Sequence, residues 1–221
     1  MRVLNLLLLL VVAVAAGLLL FRPPLFAGEP GARDLSHDLM DHKPENYPVA
    51  TLAGGCFWCT ESEFRGLDGV LYTRVGYTGG TLPNPKYEDT HDGTSGHAEA
   101  VEITFDPGKI SYRQLLEHFF LKAHDPTQLN RQGPDVGSQY RSAIFYHDEE
   151  QKKIAQEVIA NLTAKKTFSK KIVTTLEPAG TFWEAEGYHQ QYYEKYEKIH
   201  GKPHINDWLR RQAKGLGIKG D

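Results

Sequence analysis

Apolar and polar positions divide this chain of 221 residues into three regimes. Residues Val3 to Phe21 form an almost unbroken apolar run of 19 residues with Asn5 as its only polar side chain, closed by Arg22-Pro23-Pro24. Residues 28–47 carry Pro, Gly, His and charge without periodicity and read as a flexible linker. From Val49 onward the pattern alternates between strand and helix periods. Val49 to Ala53 is a short apolar strand, Gly54-Gly55 a turn, and a helix runs from Cys56 to near Gly66. Val70 to Tyr77 and Ala98 to Phe105 are further strands, separated by a long loop rich in Pro, Asn, Asp and Gly. Ser111 with Gln114 predicts a capping box, and Leu115, Leu116, Phe119 and Phe120 the buried stripe of the helix it opens. A second structureless loop is predicted from His124 to Gln139. It is followed by a strand from Arg141 to His147, a helix from Asp148 to Ala164, a last strand from Ile172 to Glu177 and a helix-prone, aromatic segment after Phe182. This order predicts an α/β (α+β) fold with a ferredoxin-like βαββαβ core sheet covered by helices, extended by an extra strand and a helical C-terminal tail.

The apolar run is longer than the ~7 to 15 residues of a cleaved signal and reaches the length that spans a bilayer. Leu25, at minus three from a cleavage point after Ala27, is larger than a signal peptidase prefers. Residues 1–27 therefore read as an anchor ahead of a cleaved signal. Arg2 and the free amine place the amino terminus inside and the domain outside, an extracytoplasmic position tied to the membrane through residues 3–21. The expected organisation is the hydrophobic segment at 1–27, the linker at 28–47, a catalytic domain at 48–200 and a polar tail at 201–221.

With 25 Lys and Arg against 28 Asp and Glu, the chain has no polyelectrolyte bias, and a basic nucleic-acid binder is excluded. The two cysteines, Cys56 and Cys59, are too few for a disulfide scaffold or an all-cysteine zinc site. No metal is expected. Lying at a helix start, Cys56 has free backbone N–H groups and the helix dipole to stabilise a thiolate. Cys59 is close enough for a disulfide after modest adjustment. Zinc ligation, thiol–disulfide exchange and a plain structural disulfide are the other readings of the pair. Phe57 and Trp58 would crowd a protein disulfide but suit a small methyl-bearing group; core packing is their alternative role. On the third strand Glu99 shares a face with Val101, Ile103 and Phe105, while Glu102 points the other way. Burial there would raise the Glu99 pKa and make it a proton donor near neutral pH; at a strand end it could equally reach solvent or an Arg. Asp135 and Tyr140, in the second loop, can offer an acceptor and a phenol.

The chain from about residue 48 to 196 resembles the type A peptide methionine sulfoxide reductases. The likeness lies in G-G-C-F-W-C at 54–59, G-Y-T-G-G at 76–80, Tyr87, G-H-A-E-A-V at 96–101, D-P-T-Q at 125–128, Q-G-x-D-x-G-x-Q-Y-R-S at 132–142 and F-W-x-A-E-x-Y-H-Q-x-Y at 182–192. The resemblance implies reduction of the S epimer of methionine sulfoxide, free or in proteins, and so protein repair. By that likeness Cys56 is the nucleophile, Phe57 and Trp58 hold the methyl group, and Glu99, Tyr87, Tyr140 and Asp135 bind or protonate the oxygen. No bound cofactor is implied; electrons come from thioredoxin or a thioredoxin-like dithiol protein, and a monomer is expected. Many relatives resolve the sulfenic acid with a cysteine near the carboxyl end. Here Cys59 is the only other thiol, which makes it the internal resolving residue. Gly187 departs from the acidic residue many relatives carry. A thiol–disulfide oxidoreductase and an anchored interaction module with one disulfide are the competing functions.

Overall fold

The structure, a computed structural model, describes residues 43–204 and Asn206. The expected hydrophobic segment, most of the linker and most of the tail lie outside the described residues. Among the described residues no helix is long and apolar enough to cross a membrane.

The elements in chain order are β1 (Val49–Gly54), α1 (Phe57–Arg65), β2 (Val70–Thr78), α2 (Tyr87–His91), β3 (Ala98–Phe105), α3 (Tyr112–His118), β4 (Arg131–Gln132), β5 (Asp135–Val136), β6 (Ser142–Tyr146), α4 (Glu149–Ala164), β7 (Thr175–Pro178), β8 (Trp183–Glu184) and α5 (Tyr192–His200). Six strands form one sheet in the order β7-β6-β1-β3-β2-β8, and β4 with β5 makes a separate hairpin. β3 lies between β1 and β2, antiparallel to both, and the one parallel pair is β6 with β7.

Every residue of β3 is buried, because both faces of the central sheet are covered. Val101, Ile103 and Phe105 enter the main core with Leu52, Phe64 of α1, and Leu115, Leu116, Phe119 and Phe120 on and after α3. Ala98 and Ala100 lie in a smaller cluster with Ala53, Ala143 and Phe145. Each large core side chain contributes about 1.5–3 kcal/mol through burial, the main favourable term in this fold. The helix starts follow from their caps. Ser111 accepts from the Gln114 backbone while the Gln114 side chain accepts from the Ser111 N–H at 2.9 Å, and Asp148 caps α4 through Gln151 N at 2.7 Å.

Four local expectations need correction. The loop before β3 contains the short helix α2, whose Lys86 N–H is accepted by Asp89 at 2.8 Å. The loop from His124 to Gln139 is not structureless. Asp125, Gln128 and Gln132 hydrogen-bond across its base, allowing β4 and β5 to pair. The strand expected at Ile172–Glu177 is Thr175–Pro178, since its register is set by parallel pairing with β6. After Phe182 the chain first makes β8 against Gly76 and Tyr77 and turns helical only at Tyr192. Beside β8 the Gln190 side chain takes the place of strand backbone, accepting from Val75 N at 2.8 Å and donating to Val75 O at 2.9 Å.

Candidate active site

The two glycines ahead of Cys56 have a steric reason. A Cβ on Gly54 would come within 2.9 Å of the Phe119 ring, and one on Gly55, at φ +92°, within 2.5 Å of Gln132. The turn into α1 is thus pressed directly against the second loop. That loop is in turn bound to the first: Ser138 Oγ donates to Gly93 O at 3.0 Å and Gln139 Nε2 to His91 O at 2.7 Å. Together these contacts collect Cys56, Tyr87, Glu99, Asp135 and Tyr140 at the ends of β1 and β3.

Glu99 is 4% exposed and accepts the Phe57 backbone N–H at 3.0 Å. Burial pushes its carboxyl up to about 8, outweighing that hydrogen bond, with the Asp135 charge adding to the rise. The inward carboxylate expected from strand parity is a carboxylic acid at neutral pH. The neighbouring Asp135 is also raised by burial. Burial and then the Glu99 charge raise the pKa of both Tyr87 and Tyr140, so both phenols keep their protons.

The thiolate expected at Cys56 is corrected. Its thiol lies well above the ordinary value, first through the hydrogen bond with Cys59, then through burial and the charges of Cys59 and Glu99. At the helix start the backbone N–H of Cys59 works in the opposite sense and lowers the thiol, but it is outweighed. Both cysteines are half-buried thiols. Among the described residues no group of three or more His, Cys, Asp and Glu side chains is placed to hold a metal ion.

Phe57 is fully buried against Tyr77 and His189, with ring centroids at 5.8 and 5.0 Å. Trp58 is half-buried, stacks on Tyr192 at 3.7 Å and donates Nε1–H to His189 Nδ1 at 3.0 Å. The C-terminal segment also supplies Glu186, which accepts from the Tyr77 hydroxyl and the Tyr87 N–H, both at 3.2 Å. Reasoning from sequence assigned no role to Glu186, His189, Tyr192 or Tyr193. The first three fall inside the motif at 182–192, the one signal that could have found them.

The family profile described as "Peptide methionine sulfoxide reductase" matches residues 48–214. The chain belongs to the peptide methionine sulfoxide reductase family. The peptide methionine sulfoxide reductase MsrA of Methanothermobacter thermautotrophicus is 58% identical over 149 residues, 67% of this chain and 88% of the relative. That of Saccharolobus solfataricus is 57% identical over 148 residues, covering 67% and 82%. Two solved structures of this reductase family are similar. Mxr1 from Saccharomyces cerevisiae in reduced form has a TM-score of 0.64 at 36% identity, covering 70% of this chain and 88% of that one. Methionine sulfoxide reductase A of Corynebacterium diphtheriae has a TM-score of 0.60 at 36% identity, covering 69% and 76%.

Proposed function

We propose that this methionine sulfoxide reductase acts on the S epimer, free or within proteins, with Glu99 as the acid, Cys56 as the nucleophile and Cys59 as the resolving thiol. The observation that carries the reading is a buried carboxyl that keeps its proton at neutral pH, tied to the helix start that follows Cys56. A neutral acid can donate to a sulfoxide oxygen, and Tyr87 and Tyr140, held as phenols, can donate beside it, with Asp135 near them. Trp58, with the buried Phe57 ring in the same cluster behind it, offers the apolar surface for the methyl group.

The proton balance follows from the same two groups. Glu99 gives its proton to the sulfoxide oxygen, which makes the sulfur electrophilic. Cys56 attacks that sulfur while its thiol proton passes to the carboxylate Glu99 has become. A thiol with a raised pKa is suited to this, since its base appears only once the oxygen is protonated. The sulfoxide S–O bond breaks and its oxygen passes to Cys56 as the bond between the two sulfurs opens again, which leaves Cys56 as sulfenic acid and frees methionine. Methionine is reduced by two electrons and Cys56 oxidised by two. Cys59 then displaces the hydroxyl, releasing water and forming the Cys56–Cys59 disulfide, which a dithiol protein of the thioredoxin type reduces.

The test uses the reduced full chain with separated S and R epimers of a methionine sulfoxide peptide. One methionine per chain from the S epimer, with a two-dalton mass loss, is the expected result; turnover of neither epimer overturns the reading.

The second part of the proposal places the enzyme outside the cytoplasm, anchored by residues 3–21 and carried clear of the membrane by the linker. The length of the apolar run and Arg2 before it support this. Protease added to intact cells should digest the domain while it stays in the membrane fraction. Protection of the domain, or its recovery in the cytosolic fraction, would overturn the location.

A further inference from the structure

Helix α5 lies against α1 at three successive points around Cys59. Tyr192 stacks on Trp58, with ring centroids 3.7 Å apart and planes within 9°. The Tyr193 hydroxyl lies 3.1 Å from Cys59 Sγ. The backbone N–H of Gln191 donates to Glu61 Oε2 at 2.7 Å. Arg65 and Glu194 add an ion pair at 3.7 Å, and the His204 ring stacks on Tyr193 at 5.4 Å. Tyr193 is only 2% exposed. Its hydroxyl is therefore held at the sulfur by contacts on both sides, and it forms that contact without searching for it.

We infer that Tyr193 is a positioning residue for the second half of the reaction, holding Cys59 Sγ and donating a hydrogen bond to it as the sulfur becomes the attacking nucleophile. This rests on the reading of Cys59 as the resolving thiol. In the resting protein either atom can be the donor. Once negative charge develops on Cys59, the phenol alone can donate, and a hydrogen bond to a charged acceptor is the stronger kind. As the new S–S bond forms, the Cys56 S–O bond breaks. The Cys59 proton leaves with the hydroxyl as water, and Tyr193 keeps its own. The oxidising equivalent is the one the sulfoxide has already delivered to Cys56.

Tyr193→Phe removes the hydroxyl and keeps the ring that packs against His204. Among the described residues the ionisable groups about this contact include Cys56, Glu99, Glu61, Arg65, Tyr192, Glu194 and His204, and the substitution replaces none of them. With the full chain and no external reductant, the single burst of methionine should keep its wild-type rate. Disulfide formation, followed by the two-dalton mass loss, should slow about ten- to a hundredfold. A sulfenic-acid trap such as dimedone should then capture Cys56 in the variant, and the pH profile of the disulfide step should move to higher pH. Disulfide formation at the wild-type rate with an unmoved profile overturns the inference. So does a burst slowed in the same proportion, which marks Tyr193 as merely structural. Absence of a burst from the wild-type chain strikes instead at the underlying reading of the reaction, and the inference falls with it.

Discussion

Glu99 and Glu102 stand three residues apart on β3, point to opposite faces of the sheet and are 4% and 5% exposed. Their environments are opposite. Burial pushes Glu102 up, but hydrogen bonds from Arg74 Nε at 2.9 Å and Lys43 Nζ at 2.8 Å, with their charges, outweigh it and hold the carboxylate below its ordinary value. Among the described residues Glu99 accepts one backbone N–H and has no cation beside it, and its carboxyl stays protonated to about pH 8. Equal burial thus produces a fixed negative charge on one face and a proton donor on the other. What separates a structural from a chemical carboxyl here is the cation that tertiary structure supplies to one of them.

The largest expected effect comes from Glu99→Gln, which keeps an acceptor for the Phe57 N–H but removes the acidic proton. Single-turnover methionine formation should fall about 10²–10⁴-fold. A loss below about threefold would remove Glu99 from the proton-transfer step.

Arg74→Met should leave the methionine burst intact and destabilise the fold by about 2 kcal/mol in urea titration. That lies below the ~3–5 kcal/mol of breaking a fully buried pair, because the Arg74 side chain is 25% exposed and Lys43 remains. A catalytic loss without a stability loss would erase the distinction between the two carboxyls.

The same contrast predicts opposite pH linkages. Glu99 binds its proton more tightly folded than unfolded, so its contribution to stability is full below the ordinary 4.5 and is lost as pH rises towards about 8; Glu61, raised by burial to about 7, acts in the same sense. The Glu102 contribution is present above 4.5 and is lost as pH falls below it. Stability of Glu99→Gln relative to wild type should therefore grow between pH 5 and 8. Parallel stability profiles for the two proteins would show that Glu99 ionises normally.

The smallest effect is expected at Trp58→Phe, which deletes the hydrogen bond to His189 while retaining an aromatic ring. KM for the sulfoxide should rise about fivefold, the equivalent of about 1 kcal/mol, with little change in kcat. An unchanged KM would mean that His189 does not orient the indole for substrate.

Local pattern was a good guide wherever local forces decide the structure. β3 is bounded as its alternation predicts, Ser111 and Asp148 cap their helices, and Glu99 was picked out by strand parity alone. The pattern failed where a partner distant in sequence sets the outcome. β7 takes its register from β6, and the second loop is ordered by Asp125, Gln128 and Gln132. The ionisation of Cys56 was misjudged for a related reason. Its helix start is visible in the sequence, but the burial and the Glu99 charge that raise its thiol come from packing against a distant strand.

The sequence by itself determined a mixed α/β succession of strands and helices, the glycine turn that presents Cys56 and Cys59, the apolar face that Glu99 shares and the family motifs, because periodicity, turn chemistry and residue identity are properties of neighbouring positions. Only the tertiary structure decided that residues 182–204 fold back over α1 and β2, bringing Glu186 to Tyr77 and Tyr87, His189 to Trp58 and Tyr193 to Cys59 across more than 90 residues of chain. Those contacts join polar atoms whose spacing along the chain carries no period. They exist because the sheet and α1 first form the surface on which the C-terminal segment packs.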